Sequence, residues 1–512
     1  MADSWTSRLL YNTGNRSSVD ESKAEVSGAE DETVVEPDQG NVLSHIISQL
    51  RPGADLSRVV LPTFILEPRS MLERITNFMA HPETLLPIST IDDPLDRFVA
   101  VVKFYLSGWH IKPPGVKKPL NPVLGETYTC WWDYPDGTRG YYISEQTSHH
   151  PPKSSYFFMA PEHHIRIDGT LKPRSKFLGN SAASMMEGIA FLRLLNKGSD
   201  KTKGEKYSLT QPNMYARGIL FGKMKYELGD HSFVRCPENN LVADIEFKTK
   251  GYFSGTYNAI GGTIKNEKTG QVYYELTGLW NGEMHIKNVS TGKKELLFNA
   301  TGAKYSAPKS RPLEEQTERE SQKLWHNTVQ ALNARNHDLA TTEKSKVEDR
   351  QREEAAKRAD EGVEWRPRLF RPVKGGPGGP DEGEEDLDWI INAQVDPHNP
   401  ELAVKQILAI APILQGQKVS REFEIPPRSA GKDKAAGGSD NLIDFADENS
   451  APGPGGLSQA QNATSQDHGA SNSGSGLMEP LQPSQSQQPG HPLRRLDTKT
   501  KEVDEFVDAK EK

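Results

Sequence analysis

Two cysteines, Cys130 and Cys236, are all that 512 residues contain. Far apart and without ligand-like spacing, they exclude a disulfide framework and a cysteine-rich metal site, and they fit a reducing compartment. Apolar runs are equally scarce. The longest, Ile407-Leu408-Ala409-Ile410-Ala411-Pro412-Ile413-Leu414, is too short to span a bilayer and contains a proline. The opening MADSWTSRLLYNTGNRSS lacks the long apolar core of a signal peptide. A soluble, cytosolic chain with peripheral membrane contact only is therefore expected. There is no basic surplus either: 62 Lys and Arg against 70 Asp and Glu leave a net charge of -8. That argues against a general nucleic-acid binder but permits a local basic face. No GxSxG or HExxH string occurs and Cys130 has no flanking signature, so no nucleophile-base pair or catalytic metal is legible and the chain is not read as an enzyme.

Hydrophobic residues make up 35% of the chain, and the mean hydropathy is -0.68. Most of that deficit sits at the two ends. Residues 1–40 are rich in Ser, Glu and Asp, and 427–512 in Gly, Ser, Gln, Pro and Asp, so both are expected to be disordered. Between them, Val42, Leu43, Ile46, Ile47 and Leu50 recur at helical spacing until Arg51-Pro52-Gly53 stops the helix. The apolar extended segment Leu61–Leu66 follows, and a hinged lid over 41–66 is one reading of the pair. Ser70 and Glu73 form a capping box ahead of Met71, Leu72 and Ile75. A further helix carries Leu95, Phe98, Val102, Leu106 and Trp109 on one face.

From about 115 to 305 the period changes to two. Ala243, Ile245 and Phe247 alternate with Asp244, Glu246 and Lys248, and glycine-bearing turns separate such runs. Many sequential strands without βαβ alternation predict a mainly β fold, a large antiparallel sheet closed into a barrel that could enclose a ligand. Helical and mixed segments are expected over 314–426.

The chemistry concentrates in Glu145-Gln146-Thr147-Ser148-His149-His150-Pro151-Pro152. Two adjacent histidines stopped by two prolines, beside Lys153, offer donors suited to a phosphate. On an ideal strand the two would point to opposite faces, which makes them a poor metal chelate. EQTSHHPP closely resembles the EQxSHHPP signature of the oxysterol-binding-protein-related lipid transfer family. Lys118-Pro119-Leu120-Asn121-Pro122-Val123-Leu124-Gly125-Glu126 resembles its KPLNPxLGE landmark, and Lys344-Ser345-Lys346-Val347-Glu348-Asp349-Arg350-Gln351-Arg352 its third.

The resemblance, spanning 41–426, implies a lipid-enclosing antiparallel barrel with an N-terminal lid helix and helical N- and C-terminal elements. It implies that Lys118, Asn121, His149, His150, Lys344 and Arg352 hold the headgroup of phosphatidylinositol 4-phosphate, with Glu348 orienting the two helix cations. The run SQLRPGADLSRVVLPTFILEPRSMLERIT, with Pro173–Asn180, is similar to the fungal Osh branch that exchanges phosphatidylserine for that phosphoinositide. By that similarity Leu61, Thr63 and Ile65 line the phosphatidylserine site, and Lys118, Asn121 and Ser175 contact its polar head. Sterol cargo, or a sensor that binds lipid without moving it, remains open. The tail carries Glu505-Phe506-Val507-Asp508-Ala509-Lys510-Glu511, which resembles the FFAT motif. It implies docking of Glu505, Phe506, Asp508 and Ala509 on a VAP-type protein of the endoplasmic reticulum. Peripheral contact with anionic membranes and a place at endoplasmic reticulum–plasma membrane contact sites follow as expectations. No cofactor or metal is implied.

Overall fold

A computed structural model describes residues 32–34, 50–56, 61–219, 223–251, 255–373 and 387–417. The proposed lid helix before Leu50, the tail from 418 and the motif at 505–511 lie outside the described residues. Within the stretch 1–40, expected to be disordered, Glu32–Val34 form a strand paired antiparallel with Lys223–Lys225.

The expected mainly β architecture is what the chain adopts. Twelve strands follow one another across a single antiparallel sheet. Its first edge is Thr127–Asp133, followed by Arg139–His149, Pro152–Ala160 and Ile165–Leu171. The far edge is Lys294–Asn299, beside Glu283–Asn288. Near the middle runs the long strand Lys223–Cys236. Its first half pairs with Asn213–Arg217 and its second with Glu205–Leu209, so the sheet forks there. The forked branch continues through Ser181–Met186 to Pro173–Phe177.

Burial explains the two kinds of strand. In Leu241–Lys248, Ala243, Ile245 and Phe247 are buried while Lys248 is exposed, the alternation of a sheet with one wet face. The strands from 127 to 160 are instead buried almost without interruption, because both of their faces are covered. Cys130, Trp132, Tyr142 and Phe158 pack inward with Phe98, Val102 and Leu106 of the helix Pro94–Ser107. Trp131, Ile143, Phe157 and Met159 pack outward against Leu369, Phe370, Ile391 and Ile407. The apolar run at 407–414 is thus the last turn of an outer helix, Pro400–Ile410, together with the segment that follows it.

The inner core holds both Trp132 from the first strand and Phe298 from the last, so the sheet curves around the helix Pro94–Ser107. Among the described residues those two strands do not pair with each other. The first is covered instead by the chain after the sheet, with Trp131 N–H donating to Lys309 O at 2.9 Å and Thr127 N–H to Arg319 O at 2.9 Å. Ser70 does cap the short helix Met71–Arg74, accepting from Leu72 N–H at 3.4 Å. Helices Ser321–Leu324, His326–Asn333 and the 24-residue His337–Asp360 return along this side.

Candidate functional site

Where the sheet forks, a cavity of about 310 Å³ opens between the branch strands, the segment 61–66, the loop 117–122 and the long helix. Its walls are apolar: Leu56, Leu61, Ile65, Phe177, Met214 and Tyr226 among others. Lys118, Asn121, His149, His150, Lys344 and Glu348 are among the polar side chains that line it, Lys118 near Lys344 and Glu348, and His149 near His150 and Glu348. Three motifs spread over more than 200 residues of sequence therefore supply one cluster. Ser175 joins it from the strand Pro173–Phe177. Gly53 N–H donates to Phe177 O at 2.7 Å and Phe177 N–H to Ala54 O at 2.9 Å, which ties the segment before 61 to this strand.

Local structure brings the histidines together. His149 is the last residue of its strand and His150 lies in the turn, so face alternation no longer applies. Both line the cavity, with ring centroids 4.5 Å apart and planes at 66°. This corrects the expectation of opposite faces. Burial, and then the neighbouring His150, hold the His149 imidazole below its ordinary pKa. Lys118 faces the cavity but is enclosed by protein. That enclosure, followed by the charge of Lys344, lowers its ammonium pKa. Opposing charge comes from Asp55 and then from Glu348, which accepts from Lys344 Nζ at 2.5 Å.

Three expected roles need correction. Thr63 does not line the cavity. It is buried against the long helix, donating from Oγ1 to His337 O at 3.2 Å, so it fastens the 61–66 segment. Lys117 Nζ fastens the same segment from the other side, donating to Phe64 O at 2.6 Å. Arg352 is exposed and pairs with Asp349, so Glu348 gives its hydrogen bond to Lys344 and reaches Arg352 only through its charge. Lys153 turns to Asp388, which Lys172 also contacts at 3.1 Å, on the side away from the histidines' cavity.

The residue that sequence reasoning passed over is Gln351. At 100° per residue, 344, 348 and 351 fall within about 60° of one another, whereas 352 swings a further 40° outward. The helix row that meets the mouth is therefore Lys344–Glu348–Gln351. Gln351 Oε1 accepts from Leu124 N–H at 2.8 Å, and its Nε2 lies 2.6 Å from His149 Nε2. The i, i+7 spacing from Lys344 could have revealed it. Among the described residues, no group of three or more His, Cys, Asp or Glu could hold a metal, and no helix is long and apolar enough to cross a membrane.

Fold and site together define an enclosure for an amphipathic molecule with an anionic end. The family model described as oxysterol-binding protein matches residues 45–331 and 327–398. Oxysterol-binding protein homolog 6 of Saccharomyces cerevisiae is 53% identical over 390 residues, 75% of this chain and 84% of that protein. In fold the chain resembles the Osh1 ORD domain solved with cholesterol, at TM-score 0.58 and 21% identity over 80% of this chain and 100% of that one. It also resembles the Osh3 ORD of Saccharomyces cerevisiae solved with PI(4)P, at TM-score 0.50 and 24% identity over 65% and 88%. The chain belongs to the oxysterol-binding protein family, and the matched region is an Osh-type lipid-binding and transfer domain.

Proposed function

We propose that this protein exchanges phosphatidylserine and phosphatidylinositol 4-phosphate between the endoplasmic reticulum and the plasma membrane. One observation carries the reading: an apolar cavity is lined by the cationic or protonatable Lys118, Lys344, His149 and His150, with Asp55 and Glu348 as the carboxylates that offset them. A phosphomonoester carries close to two charges and several acceptor oxygens, and charge-assisted hydrogen bonds from such donors are the strong kind. Acyl chains fit the remaining wall. A single cavity takes one lipid at a time, so loading either excludes the other, and exchange rather than co-transport follows. The protein is not an enzyme in this reading. The run at 48–76, with its similarity to the fungal Osh branch that exchanges phosphatidylserine, favours phosphatidylserine as the second cargo. The tail motif would dock the chain on a VAP-type protein through Glu505, Phe506, Asp508 and Ala509, leaving the domain in the cytosol to reach a facing membrane.

A second reading, sterol in place of phosphatidylserine, is favoured by Gln211. Its Oε1 is buried against the cavity without a hydrogen-bond partner, and one ligand hydroxyl would satisfy it.

A two-liposome transfer assay with all three lipids decides between them. Wild type should move phosphatidylinositol 4-phosphate one way and phosphatidylserine the other. Replacing His149 and His150 by Ala removes two donors, each worth about 1.5–3 kcal/mol if charge-assisted. Phosphoinositide extraction should fall at least about tenfold with the fold retained. Undiminished extraction by the double variant would sink the headgroup assignment, and counter-transport of sterol alone would select the second reading.

A further inference from the structure

The lipid reading above treats His149 as a donor, and Gln351 bears on which of its nitrogens can donate. Leu124 N–H can only donate, so the Gln351 atom facing it at 2.8 Å is the carbonyl oxygen. The amide nitrogen, also only a donor, is then the atom 2.6 Å from His149 Nε2. Nε2 must accept. A neutral His149 consequently carries its proton on Nδ1, a buried atom without a fully formed hydrogen bond, while the Pro122 carbonyl of the same loop lies by the ring as an acceptor.

We propose that Gln351 is a positioning residue for the anionic headgroup: it locks His149 in the Nδ1-protonated neutral tautomer and ties that ring to the loop carrying Lys118 and Asn121. The device rests on the phosphoinositide reading for its purpose but not for its geometry. It couples two events. If His149 gains a second proton, Nε2–H becomes a donor facing another donor, and the repulsion is relieved only when the Gln351 amide turns over. Its oxygen then serves His149 and abandons Leu124 N–H. Charging the ring therefore loosens the 118–124 loop, and holding the loop keeps the ring neutral. The charged groups around the ring are His150 on its own turn, Lys118 on the loop, and Lys344 and Glu348 on the helix. Three of these four are cations or become cations, so the neutral form needs no further support until an anion arrives. A hydrogen bond made to the neutral form of a base disfavours its charged form, so removing Gln351 should raise the pKa of His149.

The test reads the tautomer directly, in ligand-free full-length protein with ¹⁵N-labelled histidine. The His149 signals are assigned by their loss in His149→Ala. Long-range ¹H–¹⁵N spectra at pH 7 should show His149 protonated on Nδ1 only. In Gln351→Leu the proton should redistribute toward Nε2, and the titration midpoint of the ring should rise. In Gln351→Glu, which keeps an acceptor for Leu124 N–H, both nitrogens should be protonated at the same pH. Extraction of phosphatidylinositol 4-phosphate from vesicles should fall roughly two- to tenfold in Gln351→Leu, the equivalent of one uncharged hydrogen bond, and its pH profile should move upward. A wild-type ring protonated on Nε2, or a tautomer unchanged in Gln351→Leu, overturns the lock. Altered tautomers with unaltered extraction at every pH overturn its role in binding. If wild type shows the Nδ1 tautomer yet extracts no phosphoinositide, the lock stands and the functional reading falls.

Discussion

Each of the two motif strings that precede the long helix is divided between a scaffold half and a cavity half. In KPLNPVLGE, Lys118 and Asn121 reach the cavity, whereas Glu126 is fully buried behind them. In EQTSHHPP, His149 and His150 reach it and Glu145 is fully buried. The two glutamates do different work. Glu126 Oε2 accepts from Val123 N–H at 3.0 Å and Trp325 Nε1–H at 2.9 Å, while Oε1 accepts from the hydroxyls of Ser70 and Ser321. It joins the segment after 66, the 118–126 loop and the helices after 320. Glu145 accepts only from backbone: Oε1 from Arg368 N–H at 2.8 Å and Oε2 from Leu369 N–H at 2.7 Å, pinning the outer segment. Scaffold carboxylates are surrounded by donors, whereas the cavity cations face space that a ligand would fill. A motif match identifies neither half.

The sharpest way to break this division is Glu126→Leu. Similar bulk remains, but Val123 N–H and Trp325 Nε1–H lose their acceptor in a buried site, at about 1–3 kcal/mol each. Denaturant unfolding should show a loss of roughly 2–6 kcal/mol, with lipid extraction failing only through unfolding. A stable variant with selectively lost extraction would move Glu126 from scaffold to site.

Smaller, and more discriminating, is Glu→Gln at both positions. At 145 each carboxylate oxygen faces a backbone N–H, so the new NH₂ must oppose a donor wherever it points. The expected cost is about 1–3 kcal/mol. At 126 the amide can keep its oxygen on the two N–H donors and turn its NH₂ to Ser70 and Ser321, whose hydroxyls accept as readily as they donate. Burial already pushes the Glu126 carboxyl above its usual range, and the neutral amide avoids that penalty. Its stability should change by a few tenths of a kcal/mol in either direction, within the range of ordinary tolerated substitutions. Equal losses at 126 and 145 would show that charge, rather than donor geometry, holds both.

Much of this was legible in the sequence, and the exceptions share a physical cause. The Ala243–Lys248 alternation was readable because one face of that strand is wet. The Ser70 cap and the Phe98–Leu106 stripe were readable because local spacing fixes them, although Glu73 accepts from Gln322 and is not seen to close the box back onto Ser70. The curvature was not, since it depends on the 14-residue strand Lys223–Cys236 serving two partners along its length, a choice made by tertiary packing. Motif resemblance placed Lys118, Asn121, His149, His150, Ser175, Lys344 and Glu348 around one cavity, but it misjudged Thr63 and Arg352. Thr63 turned to the helix because a hydroxyl needs a partner and His337 O offers one. Arg352 sits a further 40° around the helix and found Asp349. Such details follow from angles and neighbours that a single sequence does not display.

The subtlest test is Lys118→Met, which should reverse the sign seen at the scaffold positions. Enclosure and Lys344 hold the Lys118 pKa below its ordinary value, so in the folded state the charged form is penalised at neutral pH. Between the lowered folded pKa and the ordinary value the unfolded chain binds the extra proton, so stability rises with pH across that window. Methionine removes the penalty and with it this rise. Apo stability at pH 7 should increase by roughly 0.5–2 kcal/mol, as is common when a functional strain is relieved. Extraction of anionic lipid should meanwhile fall about tenfold or more, the loss of one charge-assisted contact. Thermal unfolding at pH 7 and at pH 10, with the extraction assay alongside, separates the alternatives. If Lys118→Met destabilises the apo protein as Glu126→Leu does, Lys118 is scaffold, and the anion must be held by Lys344 and the histidines alone.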